Sequence, residues 1–203
     1  MKKLFLQAVL PILIIGAAIL SIGTSCGSGT APIPVVTPCD STATKFMALY
    51  NAHAPVNNYS IDLQVHEYTF KSSVAGSICA IGYQGHPNLA GINAYKVEIL
   101  DATGTIVQST GVYSFPSANR GYKTFTSPIA IAAGTNYIVR RTVINNLGNA
   151  VNTITNYKLV GIVLPITNGN LSITATKSYD FYSGTATAVN TNGYLPCIDI
   201  VLN

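Results

Sequence analysis

The residues of this 203-residue chain with types suited to chemistry are four Cys, three His and seven carboxylates. His53, His66 and His86 stand thirteen and twenty residues apart, and none is followed by a second ligand two to five positions on. That spacing does not match the paired ligands of a zinc site. No His-Glu-x-x-His, no Gly-x-Ser-x-Gly and no phosphate loop is present. Glu98 and Asp101 are the one close pair of acids, while Asp40, Asp62, Glu67, Asp180 and Asp199 are dispersed. A two-carboxylate glycosidase site would have to be assembled in three dimensions from these few. The sequence therefore predicts no catalytic residue, no metal, no cofactor and no enzyme.

The cysteines carry more. Met1-Lys2-Lys3 opens a positive segment, and Leu4 to Gly23 has no charge and one amide, Gln7. Small residues follow, up to Cys26. A basic start, an apolar run and a small-residue exit describe a secretory signal. Thr24-Ser25-Cys26 resembles the lipobox of bacterial lipoproteins, although Gly23 stands where a Leu, Val or Ile is usual. The resemblance implies that Cys26 is lipidated and is the first mature residue. Cleavage after Ser25 without lipid, or an uncleaved anchor, are the alternatives. Each buried methylene contributes about 0.8 kcal/mol, so two or three acyl chains hold a protein at a membrane. Residues 27–38 contain three Pro and two Gly and read as a semi-extended spacer. The expected organisation is a signal peptide over 1–25, a tether over 26–40 and one domain over 41–203. The expected location is the cell envelope, on the periplasmic face or the cell surface.

Three cysteines then remain, and an envelope location permits disulfides. The expected pair is Cys39–Cys197, the first residue of the domain with its last strand. Such a bridge would stabilise by roughly 4–5 kcal/mol in the entropic account. Cys79, between Ile78 and Ile81, is expected to pack as a small hydrophobe. Three buried, reduced thiols are the alternative.

Composition sets the class of the domain. Apolar residues make up 48% and charged residues 9% of the chain, against roughly 25% charged in an average soluble domain. Intrinsic disorder needs the opposite balance. The longest basic runs are Lys2-Lys3 and Arg140-Arg141, too sparse for a nucleic-acid binder. The formal net charge is +4, but without the two signal lysines nine basic residues face seven acidic ones. Fifteen Ser, twenty-one Thr and seventeen Asn wet a surface that has few charges.

From residue 44 onward, alternating runs rich in Tyr, Val, Ile and Thr recur at sandwich-like spacing. They predict an all-β fold, an antiparallel, jelly-roll-like β-sandwich preceded by an N-terminal signal helix. The clearest run is Tyr95, Val97 and Ile99 against Lys96 and Glu98, closed by the turn sequence Asp101-Ala102-Thr103-Gly104. A phase slip after Val65 suggests a bulge near His66. Tyr122 and Phe125 fall on opposite faces. Segments 171–176 and 178–183 read as two strands, and 195–202 as the last. Residues 44–51 are a strand or a short helix capped by Ser41. A membrane-spanning barrel is the competing architecture, but the strands are short and the Tyr are scattered.

The stretch from Tyr68-Thr69-Phe70 through Gly76-Ser77-Ile78, Ile81-Gly82-Tyr83 and Asp101–Gly104 to Ala133–Tyr137 resembles an uncharacterised β-sandwich module of bacterial secreted proteins. That family's members often sit beside glycan-active domains, and this chain lacks the Trp they often carry. Asp40-Ser41-Thr42 resembles a glycan-attachment triplet of some envelope bacteria.

If each strand crosses its sheet once, loops 84–93, 113–121 and 145–149 share one end of the sandwich. Function commonly sits on such loops. Tyr83, His86, Asn88, Tyr113, Asn119, Arg120 and Asn146 are the candidate ligand residues there, because amides take hydroxyls and rings stack on sugars. The alternative is that Asn and Gly merely serve turns. Adjacent Arg140 and Arg141 must face opposite sides of their strand. The inward one is expected to pair with Glu98, Asp180 or Asp199, or else to bind an anion.

The sequence thus points to a non-enzymatic envelope module that binds or assembles. Its expected contacts are a membrane, through the lipid, and a glycan or an envelope protein. A carbohydrate-binding module and a fimbrial or adhesin subunit are the alternatives. A fimbrial subunit built on a donor strand should show a missing or swapped terminal strand.

Overall fold

A computed structural model describes residues 39–53, 58–59, 63–144, 157–159, 163–182, 185–192 and 194–203. Cys26, Asn146 and residues 1–38, over which a signal and most of a tether are expected, lie outside them. One helix, α1 (Lys45–Ala52), precedes strands β1 (Asn58–Tyr59), β2 (Val65–Ser72), β3 (Gly76–Tyr83), β4 (Tyr95–Asp101), β5 (Ile106–Tyr113), β6 (Gly121–Ile131) and β7 (Asn136–Val143). Then come β8 (Tyr157–Leu159), β9 (Ile166–Asn168), β10 (Leu171–Tyr182), β11 (Thr185–Thr191), β12 (Tyr194–Pro196) and β13 (Asp199–Leu202).

Two antiparallel sheets pack as a sandwich. The larger has the order β11-β10-β2-β7-β4-β5, with β9 added against β10, and the smaller is β13-β3-β6. A short ladder β1-β8-β12 pairs with neither, although Leu195 of β12 is buried in the shared core. The chain passes from one sheet to the other between β2 and β3, β3 and β4, β5 and β6, and β6 and β7. The core lies between the sheets, where Tyr68, Phe70, Val97 and Ile99 of the large sheet meet Ile78, Ile81 and Ile200 of the small one. Its rings interlock: Phe46 of α1 stacks on Tyr68 at 5.1 Å, and Phe70 on Tyr137 at 5.7 Å. The Tyr68 hydroxyl donates to the Ile198 carbonyl at 2.7 Å, so a buried phenol has its partner.

Local rules explain several boundaries. In the turn after β4, the Asp101 carboxylate accepts from the backbone N–H groups of Thr103 and Thr105 at 2.8 and 3.0 Å. Gly104 holds φ +87 there, a conformation that glycine reaches without a Cβ clash. The N-terminal cap of α1 is Thr44, whose Oγ1 accepts from Met47 N at 3.1 Å. The expected cap, Ser41, is displaced because Asp40 closes its own turn, taking Thr42 N and Oγ1 at 2.9 and 2.6 Å. Residues 171–182 form one strand rather than two.

The phase slip near His66 has another cause than a bulge. The pairing of β2 with β7 is unbroken from Val65 to Lys71. His66 itself is fully buried on the core face, beside the equally buried Arg141. A polar pair occupies a slot where the alternation expected an aliphatic side chain. Arg141 also donates to the Gln64 carbonyl at 3.2 Å and lies 5.9 Å from the centre of the Tyr83 ring. The expectation that the inward Arg pairs with Glu98, Asp180 or Asp199 is corrected: Arg141 faces inward beside His66, and the ion pair belongs to the outward Arg140, with Glu67.

The disulfide also differs from expectation. Cys39 is bridged to Cys79, with Cα atoms 5.7 Å apart, and Cys197 is a buried free thiol. The reason lies in β3. Its pairing with β6 and with the core slips between Ile78 and Ala80, so Ile78 and Ile81 both point inward. Cys79 is left in a small cluster with Ala80 and Val201, against which Cys39 and Tyr122 pack. The last strand, β13, pairs with β3 of its own chain through Asp199↔Gly82 and Ile200↔Ile81.

Candidate functional site

Tyr83 faces Gly121, and Tyr95 faces Tyr113, so loops 84–93 and 113–121 share one end as expected. Tyr95 also faces Val143, so β7 ends beside them, while loop 145–149 lies outside the described residues. Their polar groups are spent largely on one another. Gly85 N donates to the Pro116 carbonyl at 2.8 Å, and Gln84 Nε2 to the Ser117 carbonyl at 2.7 Å. The His86 backbone N–H donates to the Tyr95 hydroxyl at 2.7 Å. The His86 ring caps the short 3-10 turn Pro87–Leu89 by accepting from Asn88 N at 3.1 Å, and partial burial lowers its pKa. Tyr83 is core, edge-on to Tyr95 and Phe115. Tyr113 is half-buried against Phe115, with Lys123 Nζ 5.0 Å from its ring centre. Asn88 and Asn119 are exposed. Only Arg120 leads to a cluster.

That cluster sits where the segment before α1 crosses the small sheet. Arg120 Nη2 donates to Cys197 Sγ at 2.8 Å. Two residues on, the carboxylate of Asp199 is fully buried. Its Oδ1 accepts from the Thr44 hydroxyl and its Oδ2 from the Tyr122 hydroxyl, both at 2.7 Å. The three side chains come from α1's cap, β6 and β13, and Gly82 lets the Tyr122 ring lie flat on β3, where a Cβ would strike it. Burial pushes the Asp199 carboxyl up, against the bonds from Thr44 and Tyr122. Burial and the same carboxylate push the Tyr122 phenol up to about 12. The Cys197 thiol is raised by burial, although Arg120 pulls the other way. A hollow of about 390 Å³ opens above, edged by Ser41, Asn51, Met47 and Arg120. The strongest groups beneath it are already joined to one another.

A second cluster lies on the outer face of the large sheet. Register puts Lys177, Glu67, Arg140 and Glu98 in one row across β10, β2, β7 and β4, with alternating charge. Glu67 is 7% exposed. Its Oε1 accepts from Arg140 Nε and from the Tyr179 hydroxyl, each at 2.5 Å. Burial and that carboxylate both raise the Tyr179 phenol. Glu98 is held by Lys96 Nζ at 2.8 Å. Beside Glu67 a second hollow of about 390 Å³ is lined by residues of β2, β7, β10 and the end of β11. Of this row the sequence singles out Arg140 and Glu98, and places Glu67 only among the dispersed acids. The available signal was parity: Glu67 falls opposite to His66 and Tyr68, and Tyr179 opposite to Ser178.

Among the described residues no group of three His, Cys, Asp or Glu is placed to hold a metal ion, and no helix is long and apolar enough to cross a membrane. No protein-family model and no curated protein matches the chain.

Proposed function

We propose that the chain is a lipid-anchored β-sandwich of the cell envelope that binds or assembles with a partner and carries out no reaction of its own. The observation that supports this best is the Cys39–Cys79 bridge, which ties the chain to β3 immediately after the tether sequence. A disulfide of this kind belongs to an oxidising compartment, and the lipobox-like Thr24-Ser25-Cys26 is the matching address. The most buried carboxylates support a role without catalysis, since Asp199, Glu67 and Glu98 are all engaged with neighbouring side chains. The fimbrial alternative has less support, because β13 pairs with β3 of its own chain where a donor-strand form would leave that place unfilled.

Expression of the full chain in a bacterial host with radiolabelled palmitate tests the reading. Wild type should take up label and sediment with membranes. Cys26→Ala should lose the label and leave the membrane fraction. An unlabelled, freely soluble wild type would overturn the anchor. Alkylation after non-reducing unfolding should modify Cys197 and leave Cys39 and Cys79 untouched. Modification of all three would overturn the compartment argument.

A further inference from the structure

We propose that the hollow between Glu67 and Asn192, on the outer face of the large sheet, is a subsite for a neutral glycan. This rests on the binding role proposed above and gives it a ligand class.

The site is built from groups that are fixed at one end and open at the other. Both hydrogen bonds to Glu67 fall on Oε1, so Oε2 is left as an acceptor on a carboxylate that Arg140 and Tyr179 hold still. Asn192 is fixed in the same way. Its backbone holds φ +58, a conformation Asn tolerates better than most residues. Its Oδ1 accepts from Thr176 N at 3.2 Å, and its own N–H donates to the Thr176 carbonyl at 3.0 Å. The amide NH₂ is then the free end. Lys177 is exposed on the rim, its Nζ 4.6 Å from the centre of the Tyr179 ring. Thr69 adds a hydroxyl, while half-buried Ile138 and Ala175 give the hollow an apolar floor.

An immobile acceptor, an immobile donor and an ammonium around a small apolar patch match adjacent hydroxyls on a ring with one C–H face. The charges select against other ligands. The lining carries one carboxylate, Glu67, and one ammonium, Lys177, whose charges cancel, so a neutral, hydroxyl-rich molecule fits best. The volume of about 390 Å³ lies at the lower end of the roughly 300–1,000 Å³ of small-ligand sites. Pre-set side chains reduce the ordering cost that binding must overcome.

The test uses the full chain in detergent on an array of neutral hexose, N-acetylhexosamine and uronic-acid oligosaccharides, followed by titration calorimetry on the glycans retained. Neutral oligosaccharides should be retained. Lys177→Ala, at an exposed position, and Asn192→Gly, which keeps the left-handed backbone, should each weaken them about tenfold or more, the scale of one hydrogen bond to a charged group. Glu67→Gln should remove binding. Asn88→Ala and Asn119→Ala, at the loop end, should leave it unchanged. The proposal fails if no neutral glycan is retained, if only uronic-acid glycans are, or if Lys177→Ala and Asn192→Gly bind as wild type does. Failure here leaves the palmitate and alkylation results standing, so the two readings fall separately.

Discussion

Asp199 and Glu67 are built from the same parts and do different things. Each is a nearly inaccessible carboxylate on a strand, met by a Tyr hydroxyl and close to an Arg. At Asp199 the two hydroxyl donors are divided between the two oxygens, Thr44 on Oδ1 and Tyr122 on Oδ2. At Glu67 both donors crowd onto Oε1. The first arrangement leaves neither oxygen without a donor, and its product is a joint between the segment that leads into α1 and the small sheet. The second keeps an oxygen in reserve beside a hollow. The lesson is that a buried charge is better judged by how its lone pairs are distributed than by how many partners it has.

That contrast can be broken from the Asp199 side first. Replacing Cys39 and Cys79 together by Ala should lower stability by about 4 kcal/mol, from the loop entropy of a 40-residue separation. Urea unfolding of the oxidised wild type and the double variant measures it. Asp199→Ala strands the Thr44 and Tyr122 hydroxyls and leaves Arg120 without its neighbouring charge. The expected loss is about 3 kcal/mol, again by urea midpoint, with glycan retention intact once the protein is folded. Glu67→Gln should cost only about 1 kcal/mol, because Arg140 is partly exposed and can turn to water. If Glu67→Gln proves as costly as Asp199→Ala, the distinction between joint and site collapses.

The smallest effects are in pH. Burial raises the folded-state pKa of Asp199 above its ordinary value of 3.8. The folded state then holds this proton more tightly than the unfolded one. The group's contribution to stability is complete below the unfolded pKa and is lost as pH rises through the raised folded value. The advantage of wild type over Asp199→Asn should therefore be widest in acid and narrow upward from about pH 4. His86 runs the other way. Its folded pKa is lowered by burial, so its contribution is present above about pH 6.5 and is lost as pH falls below that. Melting temperatures of wild type and His86→Gln between pH 7.5 and 5 should show the wild type losing ground in acid. Parallel curves would remove His86 from the account.

What was legible in the sequence was whatever depends on neighbours along the chain. Tyr95, Val97 and Ile99 face the core as read and the strand ends in the Asp101 turn as read, because strand parity and turn chemistry are local, although Glu98 and Leu100 on the other face are buried as well. The opposition of Tyr122 and Phe125 is also real. Tyr122 to Thr124 pair in regular register with β3, so simple strand parity puts Phe125 in the core and Tyr122 on the other face, and the β3–β6 register jump lies beyond Thr124. What was not legible depends on register between distant strands. The Glu67–Arg140–Tyr179 contact joins β2, β7 and β10, and no spacing along the chain encodes it. The Cys39 partner was misread for a related reason. Ile78 and Ile81 three apart cannot both face the core of a regular strand, and that irregularity was the one available sign that Cys79 turns outward.

The bridge has a mechanical consequence. A pull applied to the chain ahead of residue 39 does not reach α1 first. It passes through the sulfur atoms into Cys79, in the middle of β3. That strand is flanked by β13 on one side and β6 on the other, so the load is shared between two ladders of hydrogen bonds. Residues 40–78 are bypassed. Tension entering at Cys39 is taken up by the central strand of the small sheet before it reaches the strands of the large one.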